Sequence, residues 1–323
     1  MDVFHHMLLG QPVWLWLSFA AVVLTLLVLD LGVLHKDQHE IGIRESLWLS
    51  LGYITVAVIF GAWVWHNLGA ELGMAYYTAF FVEKSLSLDN VFVISLIFTY
   101  FAVPRMYQHR VLFWGILGVL VLRAIMIGLG TALVSQFSWV LYLFGAFLLW
   151  SGIKMFSATD HAPDLANNKL ITWFKKLVPV TPQFHGDKFW VKQADPKNPQ
   201  RQIWWATPMF LALIMVESAD LVFAVDSVPA VLAITQDPFV VYTSNIFAIL
   251  GLRALYFALA AMVHRFSYLK YALAMVLIFI GGKILSHGLI GPMPAAISLG
   301  VTFSLIAGGV LVSLWKTRSD TAG

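Results

Sequence analysis

Val216-Glu217-Ser218-Ala219-Asp220-Leu221-Val222-Phe223-Ala224-Val225-Asp226-Ser227-Val228-Pro229-Ala230 places three carboxylates inside an apolar run that extends from about 203 to 235. Roughly 20 apolar residues carry a helix across a bilayer, so this run is long enough to span one. A charged residue at the centre of such a helix costs about 2.5–3.5 kcal/mol on insertion scales. Three in one span must therefore face protein, counter-charge or a cation. A second stretch has the same character: Val82-Glu83-Lys84-Ser85-Leu86-Ser87-Leu88-Asp89-Asn90-Val91-Phe92, inside the apolar run 74–101.

The rest of the chain agrees with this reading. Of 323 residues, 60% are hydrophobic and 11% charged, against roughly 25% charged in soluble domains. Apolar runs near 13–34, 47–66, 74–101, 111–134, 138–156, 203–235, 241–263, 267–287 and 294–315 predict about nine spans. Lipid offers no partner to exposed backbone groups, so each is expected to be a helix. The expected fold class is an all-α integral membrane protein with a single transmembrane domain. Trp14, Trp48, Trp65, Tyr76, Tyr77, Trp139, Trp204, Trp205 and Trp315 lie near span ends, as interfacial anchors do. The first run has no basic segment before it and no small-residue cleavage site after it, so it reads as a retained helix. The chain has no cysteine, which excludes disulfides, thiolate metal sites and dithiol chemistry.

The basic residues orient the spans. Lys36 and Arg44 follow the first, and Arg105 and Arg110 follow the third. Lys154, Lys169, Lys175, Lys176, Lys188, Lys192, Lys197 and Arg201 fall between the fifth and sixth, Arg265 and Lys270 between the seventh and eighth, and Lys316 and Arg318 in the tail. All lie on one side, which the positive-inside rule makes cytoplasmic. The N-terminus is then outside and the C-terminus inside. The polar stretch 157–202 becomes a cytoplasmic loop rich in proline (Pro163, Pro179, Pro182, Pro196, Pro199). Leu170–Val180 has the apolar and basic residues of a short surface helix, but a plain tether is the expectation for such a loop.

The sequence also repeats itself. Ser87-Leu88-Asp89-Asn90-Val91-Phe92 resembles Ser218-Ala219-Asp220-Leu221-Val222-Phe223, and Leu122-Arg123-Ala124 resembles Leu252-Arg253-Ala254. Gln136-Phe137-Ser138 matches Arg265-Phe266-Ser267, and Gly152-Ile153-Lys154 matches Gly281-Gly282-Lys283. The offsets stay between 129 and 131 residues. Repeat one covers about 74–156 and repeat two about 203–287, three spans each. An odd number of spans makes the second unit enter from the opposite side, so the repeats are inverted. Accessory helices at 13–34, 47–66 and 294–315 complete the chain. Secondary transporters often have this architecture, with the site near the midplane.

Glu83, Asp89, Glu217, Asp220 and Asp226 thus lie within two spans, and Asp30 near the inner end of the first is a further candidate. Arg123, Arg253, Lys84 and Lys283 are the basic residues left to answer them. Arg123 and Arg253 occupy matched places in the two repeats. Structural ion pairs explain some of these acids, but two well-placed arginines leave a surplus of negative charge. At 3.6 residues per turn, Glu217 and Asp220 share a face, as do Glu83, Ser87 and Asn90, whereas Asp226 points away from Glu217 on a straight helix. A break at Pro229 would turn Asp226 inward and free backbone carbonyls, and a simple proline kink is the alternative. Carboxylates, an amide, hydroxyls and carbonyls are hard oxygen ligands suited to magnesium, calcium or manganese. No histidine falls among these acids.

Glu83-Lys-Ser-Leu-Ser-Leu-Asp-Asn-Val-Phe-Val, Glu217-Ser-Ala-Asp-Leu-Val-Phe-Ala-Val-Asp-Ser-Val-Pro-Ala and Thr243-Ser-Asn-Ile-Phe-Ala-Ile-Leu-Gly-Leu-Arg-Ala resemble the signatures of the tellurium-resistance protein C (TerC) family, in its Alx-type branch. That resemblance implies a multi-pass protein of the bacterial inner membrane that exports Mn2+. It further implies a metal site built from Glu83, Asp89, Asn90, Glu217, Asp220 and Asp226. The branch also carries a redox-modulator label, to which a chain without cysteine, haem or flavin signature lends no chemistry.

The expectation is a secondary transporter whose partners are the bilayer, a divalent cation and, as coupling ion, protons. Ca2+ and Mg2+ remain open as cargo. The competing function is a membrane metal sensor or scaffold of the metal, tellurite or alkaline stress response that binds without transporting. An enzyme is not expected, since P-loop, nucleophile-elbow and zincin motifs are all missing from the sequence. Neither nucleotide nor nucleic acid is expected as a ligand.

Overall fold

The structure is a computed structural model that describes residues 6–29, 42–157, 169–195, 198–260, 269–291 and 293–320. Its main elements are α1 (Val13–Leu29), α2 (Ile43–Leu68), α3 (Ala70–Tyr100), α4 (Arg105–Gln136) and α5 (Val140–Ser157). After these come α6 (Lys169–Leu177), α7 (Pro208–Ile234), α8 (Pro238–Ala260), α9 (Leu269–Ile290) and α10 (Ala295–Asp320). Among the described residues, five helices are long and apolar enough to cross a bilayer: α2, α4, α7, α9 and α10. The apolar segments of α1, α5 and α8 are shorter. α3 has the length, 31 residues, but carries Glu83, Lys84 and Asp89 near its middle. The described residues also form two antiparallel hairpins: β1 (Met7–Leu8) with β2 (Gln11–Pro12) before α1, and β3 (Trp190–Asp195) with β4 (Asn198–Ala206) between α6 and α7.

Two expectations are corrected here. The apolar run starting at 203 is not all helix, because residues 198–206 form β4 and α7 begins at Pro208. Proline suits that first helical position, where a backbone donor has no partner to lose. The loop is more than a tether. Its residues 169–177 are helical, Ile171 is buried, and the Phe174 and Trp190 rings lie 5.5 and 4.4 Å from Phe210 at the start of α7. The strand end is tied down as well, with Ala206 N donating to Pro179 O at 3.0 Å and Thr181 N to Ala206 O at 2.9 Å.

α3 packs on α7 and α8, α4 on α7 and α8, and α5 on α9. Small residues set the α5–α9 approach. A Cβ added at Gly281 would stand 2.6 Å from Gly145 O and 2.8 Å from Leu149 N, and one at Gly152 would stand 2.8 Å from Ala274 O. Close backbone approach through glycine is how helices gain contact in lipid, where apolar burial supplies little drive. Gly281→Ala is therefore expected to destabilise the protein by about 1–3 kcal/mol, the usual cost of overpacking against unyielding atoms. Gly282 has open space where its Cβ would be, so Gly282→Ala is the matched control. Thermal unfolding in detergent checks this; equal melting temperatures for the two variants would refute the close-packing account.

Candidate functional site

The polar centre is built around Arg123 of α4, which is 2% exposed. Its Nη1 donates to Glu83 Oε1 of α3, to Ser227 Oγ of α7 at 3.0 Å and to Asn245 Oδ1 of α8 at 2.8 Å. Four helices therefore meet at one guanidinium nitrogen. Local folding explains which side chains are free to reach it. Ser87 Oγ is absorbed by its own helix, donating to Glu83 O at 2.8 Å. Thr243 and Ser244 do the same to Phe239 O and Val240 O, both at 2.7 Å. Such back-bonding leaves Asn245 as the member of that polar triplet that crosses to another helix.

Asn90 forms the second tie, its Nδ2 donating to Asp220 Oδ1 of α7 at 3.0 Å. Asp226 looks elsewhere, accepting from Ser151 Oγ of α5 at 3.3 Å. α7 runs unbroken through Pro229, so of the two readings left open there the break does not occur, and Asp226 reaches its partner from the far side of a continuous helix. Glu217 faces α4, where its carboxylate lies against Gly118. Lys84 does not join the group; its Nζ donates to Ala248 O at 3.2 Å and lies beside Gly251 of α8. Asp30 and the side chains of Asp89 and Arg253 lie outside the described residues. Among the described residues, no three histidine, aspartate or glutamate side chains stand close enough together to hold a metal ion.

Two cavities flank this layer. The larger, about 270 Å³, is lined by Glu83, Asn90, Arg123, Ser151, Lys154 and Asp226, among others. The smaller, about 20 Å³, is lined by Asn90, Arg123, Asp220 and Tyr256 with apolar neighbours. Asn90 and Arg123 belong to both, so they form the partition, with the partly buried Asp226 on one side and the buried Asp220 on the other. Sequence reasoning missed Ser151, Ser227 and Asn245 here, and it placed Lys154 with the loop, whereas it lines the larger cavity from α5. The available signal was a polar residue inside an apolar span. Asn245 stood in the quoted Thr243-Ser-Asn motif without an assigned role.

The integral membrane TerC family model matches residues 68–321, which include every helix that contributes to this partition. The chain belongs to the TerC family. Among similar proteins, a membrane protein of Rickettsia bellii (strain RML369-C) is 48% identical over 299 residues, 93% of this chain and 96% of the relative. One from Rickettsia felis is also 48% identical over 299 residues, 93% of this chain and 97% of that protein. A relative from Salmonella typhi, named a membrane-bound redox modulator, Alx, is 42% identical over 315 residues, 95% of each chain. No solved structure matches this TerC-family chain.

Proposed function

We propose that the chain is a secondary transporter that exports a divalent metal cation, Mn2+ before Ca2+ or Mg2+, across a bacterial inner membrane. The observation that carries this reading is the partition itself: Asn90 and Arg123 line two cavities, with Asp226 on one and Asp220 on the other. Buried polar groups placed between cavities suit an ion path and give no stability that well-packed apolar residues would not. In this reading the carboxylates of α3 and α7 form the metal path with Asn90, Arg123 and Arg253 supply counter-charge, protons are the coupling ion, and no enzymatic step occurs.

Nine crossings and inverted repeats belong to the same proposal. Support comes from the α5–α9 contacts, in which Gly152 meets Ala274 and Gly281 meets Gly145. An offset of 129 residues converts one contact into the other. The packing of α3 on α8 and α4 on α7 exchanges under the same operation. With basic residues inside, the N-terminus is outside and the C-terminus cytoplasmic. The redox role in a relative's name would need thiol chemistry or a bound redox cofactor, and this chain has no cysteine.

Vesicles loaded with Mn2+ test the reading. Asp226→Asn and Asp89→Asn are each expected to cut flux by about a hundredfold, the scale on which misplacing a functional group is felt. Parent-like flux in both would end the transport proposal. Mn2+ binding by the parent without any flux would favour a sensor or scaffold instead.

A further inference from the structure

We propose that Arg123 is a tethered cation that fills a cargo-type oxygen cage in the empty carrier and is displaced when metal binds. This rests on the transport reading above and adds a specific occupant and a specific cage: Glu83, Ser227 and Asn245. Neither Ser227 nor Asn245 is an acid, and neither was among the expected ligands.

The argument starts from a mismatch in hydrogen-bond counting. One guanidinium Nη carries two protons. Arg123 Nη1 nevertheless has three oxygens around it, from Glu83, Ser227 and Asn245 on three different helices. Meanwhile Arg123 Nε, Glu83 Oε2 and Asn245 Nδ2 are buried with no hydrogen-bond partner among the described residues. An arginine serving only as a structural clamp favours a fork-to-fork pairing with both carboxylate oxygens. Here the guanidinium is used as a point charge, one nitrogen centred among converging oxygens. Carboxylate, hydroxyl and amide oxygens arranged around a point form the donor set of a hard divalent cation. The nearby Asn90 Oδ1 is likewise buried without a partner among the described residues, and Asn90 lines both cavities together with Arg123. It is thus available as a fourth oxygen.

Room for the exchange is present. Arg123 borders the cavity of about 270 Å³, which gives its head group space to withdraw into. The consequence is electrostatic. When cargo leaves, the guanidinium returns, and Glu83 is never left as an isolated buried charge in a medium that penalises it heavily. The empty carrier can then change its conformation at low cost.

Binding of Mn2+ alone, followed by the loss of the free-ion electron paramagnetic resonance signal, tests this on the purified full chain. If the guanidinium fills the cage in about nine of ten empty molecules, its removal tightens apparent affinity about tenfold, because affinity scales with the competent fraction. Arg123→Gln is expected to show that gain. Arg123→Lys keeps the charge on a shorter head and is expected to fall between parent and Arg123→Gln, and it decides the matter if the glutamine variant does not fold. Adding Asn245→Ala to Arg123→Gln is expected to reverse most of the gain. Parent binding with no tightening in folded Arg123 variants, or no effect of Asn245→Ala on the Arg123→Gln protein, overturns the tethered-cation inference alone. No Mn2+ binding by any of these proteins overturns the transport reading with it.

Discussion

Glu83→Gln is expected to abolish Mn2+ flux and to lower stability by about 3–5 kcal/mol, the cost of removing one partner from a buried ion pair. Glu83 is fully buried and Arg123 is 2% exposed, so water cannot take over the guanidinium. Glutamine keeps the volume and one carbonyl oxygen, and what it removes is charge. Ser227 and Asn245 would still accept hydrogen bonds from Arg123, but neutral oxygens do not balance a buried cation. The reverse change is not equivalent. Arg123→Gln leaves a carboxylate, and a carboxylate can be balanced by added metal. Mn2+ at about 100 times its dissociation constant should then raise the stability of Arg123→Gln by about 2.7 kcal/mol and leave Glu83→Gln where it was. Thermal unfolding followed by tryptophan emission, with and without Mn2+, reads both quantities. A Glu83→Gln protein that melts and transports like the parent would remove the ion pair from the centre of the site.

The positions of the helices were legible because apolar length is a strong signal and lipid leaves the backbone few alternatives. Where the reading went astray, a second signal was superimposed on the first. Ile203-Trp204-Trp205-Ala206 looked like the start of a span, yet these residues alternate within β4, and Thr207-Pro208 marks the true beginning of α7. In the loop, Leu170–Val180 read as a surface helix or, by preference, a tether, and the apolar contacts of Ile171 and Phe174 dock α6 onto the bundle. At the site, acids announced themselves because each is costly in lipid. Serine and asparagine cost less and can bond to their own helix, so Ser227 and Asn245 carried a weaker signal than the glutamate they accompany. Pro229 left a break and a simple kink equally open. A proline removes one donor and strains one turn, and the unbroken α7 absorbs that. Helical periodicity did anticipate that Glu217 and Asp226 would point apart, and in the structure they face α4 and α5 respectively.

That divergence leaves Glu217 with a partner of an unusual kind, and the strongest remaining prediction concerns it. Gly118 sits near the middle of α4, where glycine costs about 0.5–1 kcal/mol relative to alanine. A Cβ at this position would overlap Glu217 Oε1 and stand 2.6 Å from Oε2. The missing side chain is therefore what lets the carboxylate of α7 lie against the backbone of α4. Gly118→Val should expel it, since the branched side chain fills the same volume and Glu217 is the more flexible of the two. The expected result is a loss of Mn2+ flux of about a hundredfold, the penalty associated with displacing a functional group by about 1 Å. Gly118→Ala should show a smaller loss in the same direction. Stability should change little, because relief of the helical glycine offsets the crowding of a movable side chain. The opposite pattern is as easy to recognise. If Gly118→Ala raises the melting temperature and leaves flux unchanged, Glu217 is a bystander, and the proposed cation path is left to Glu83, Asp89, Asn90, Asp220 and Asp226.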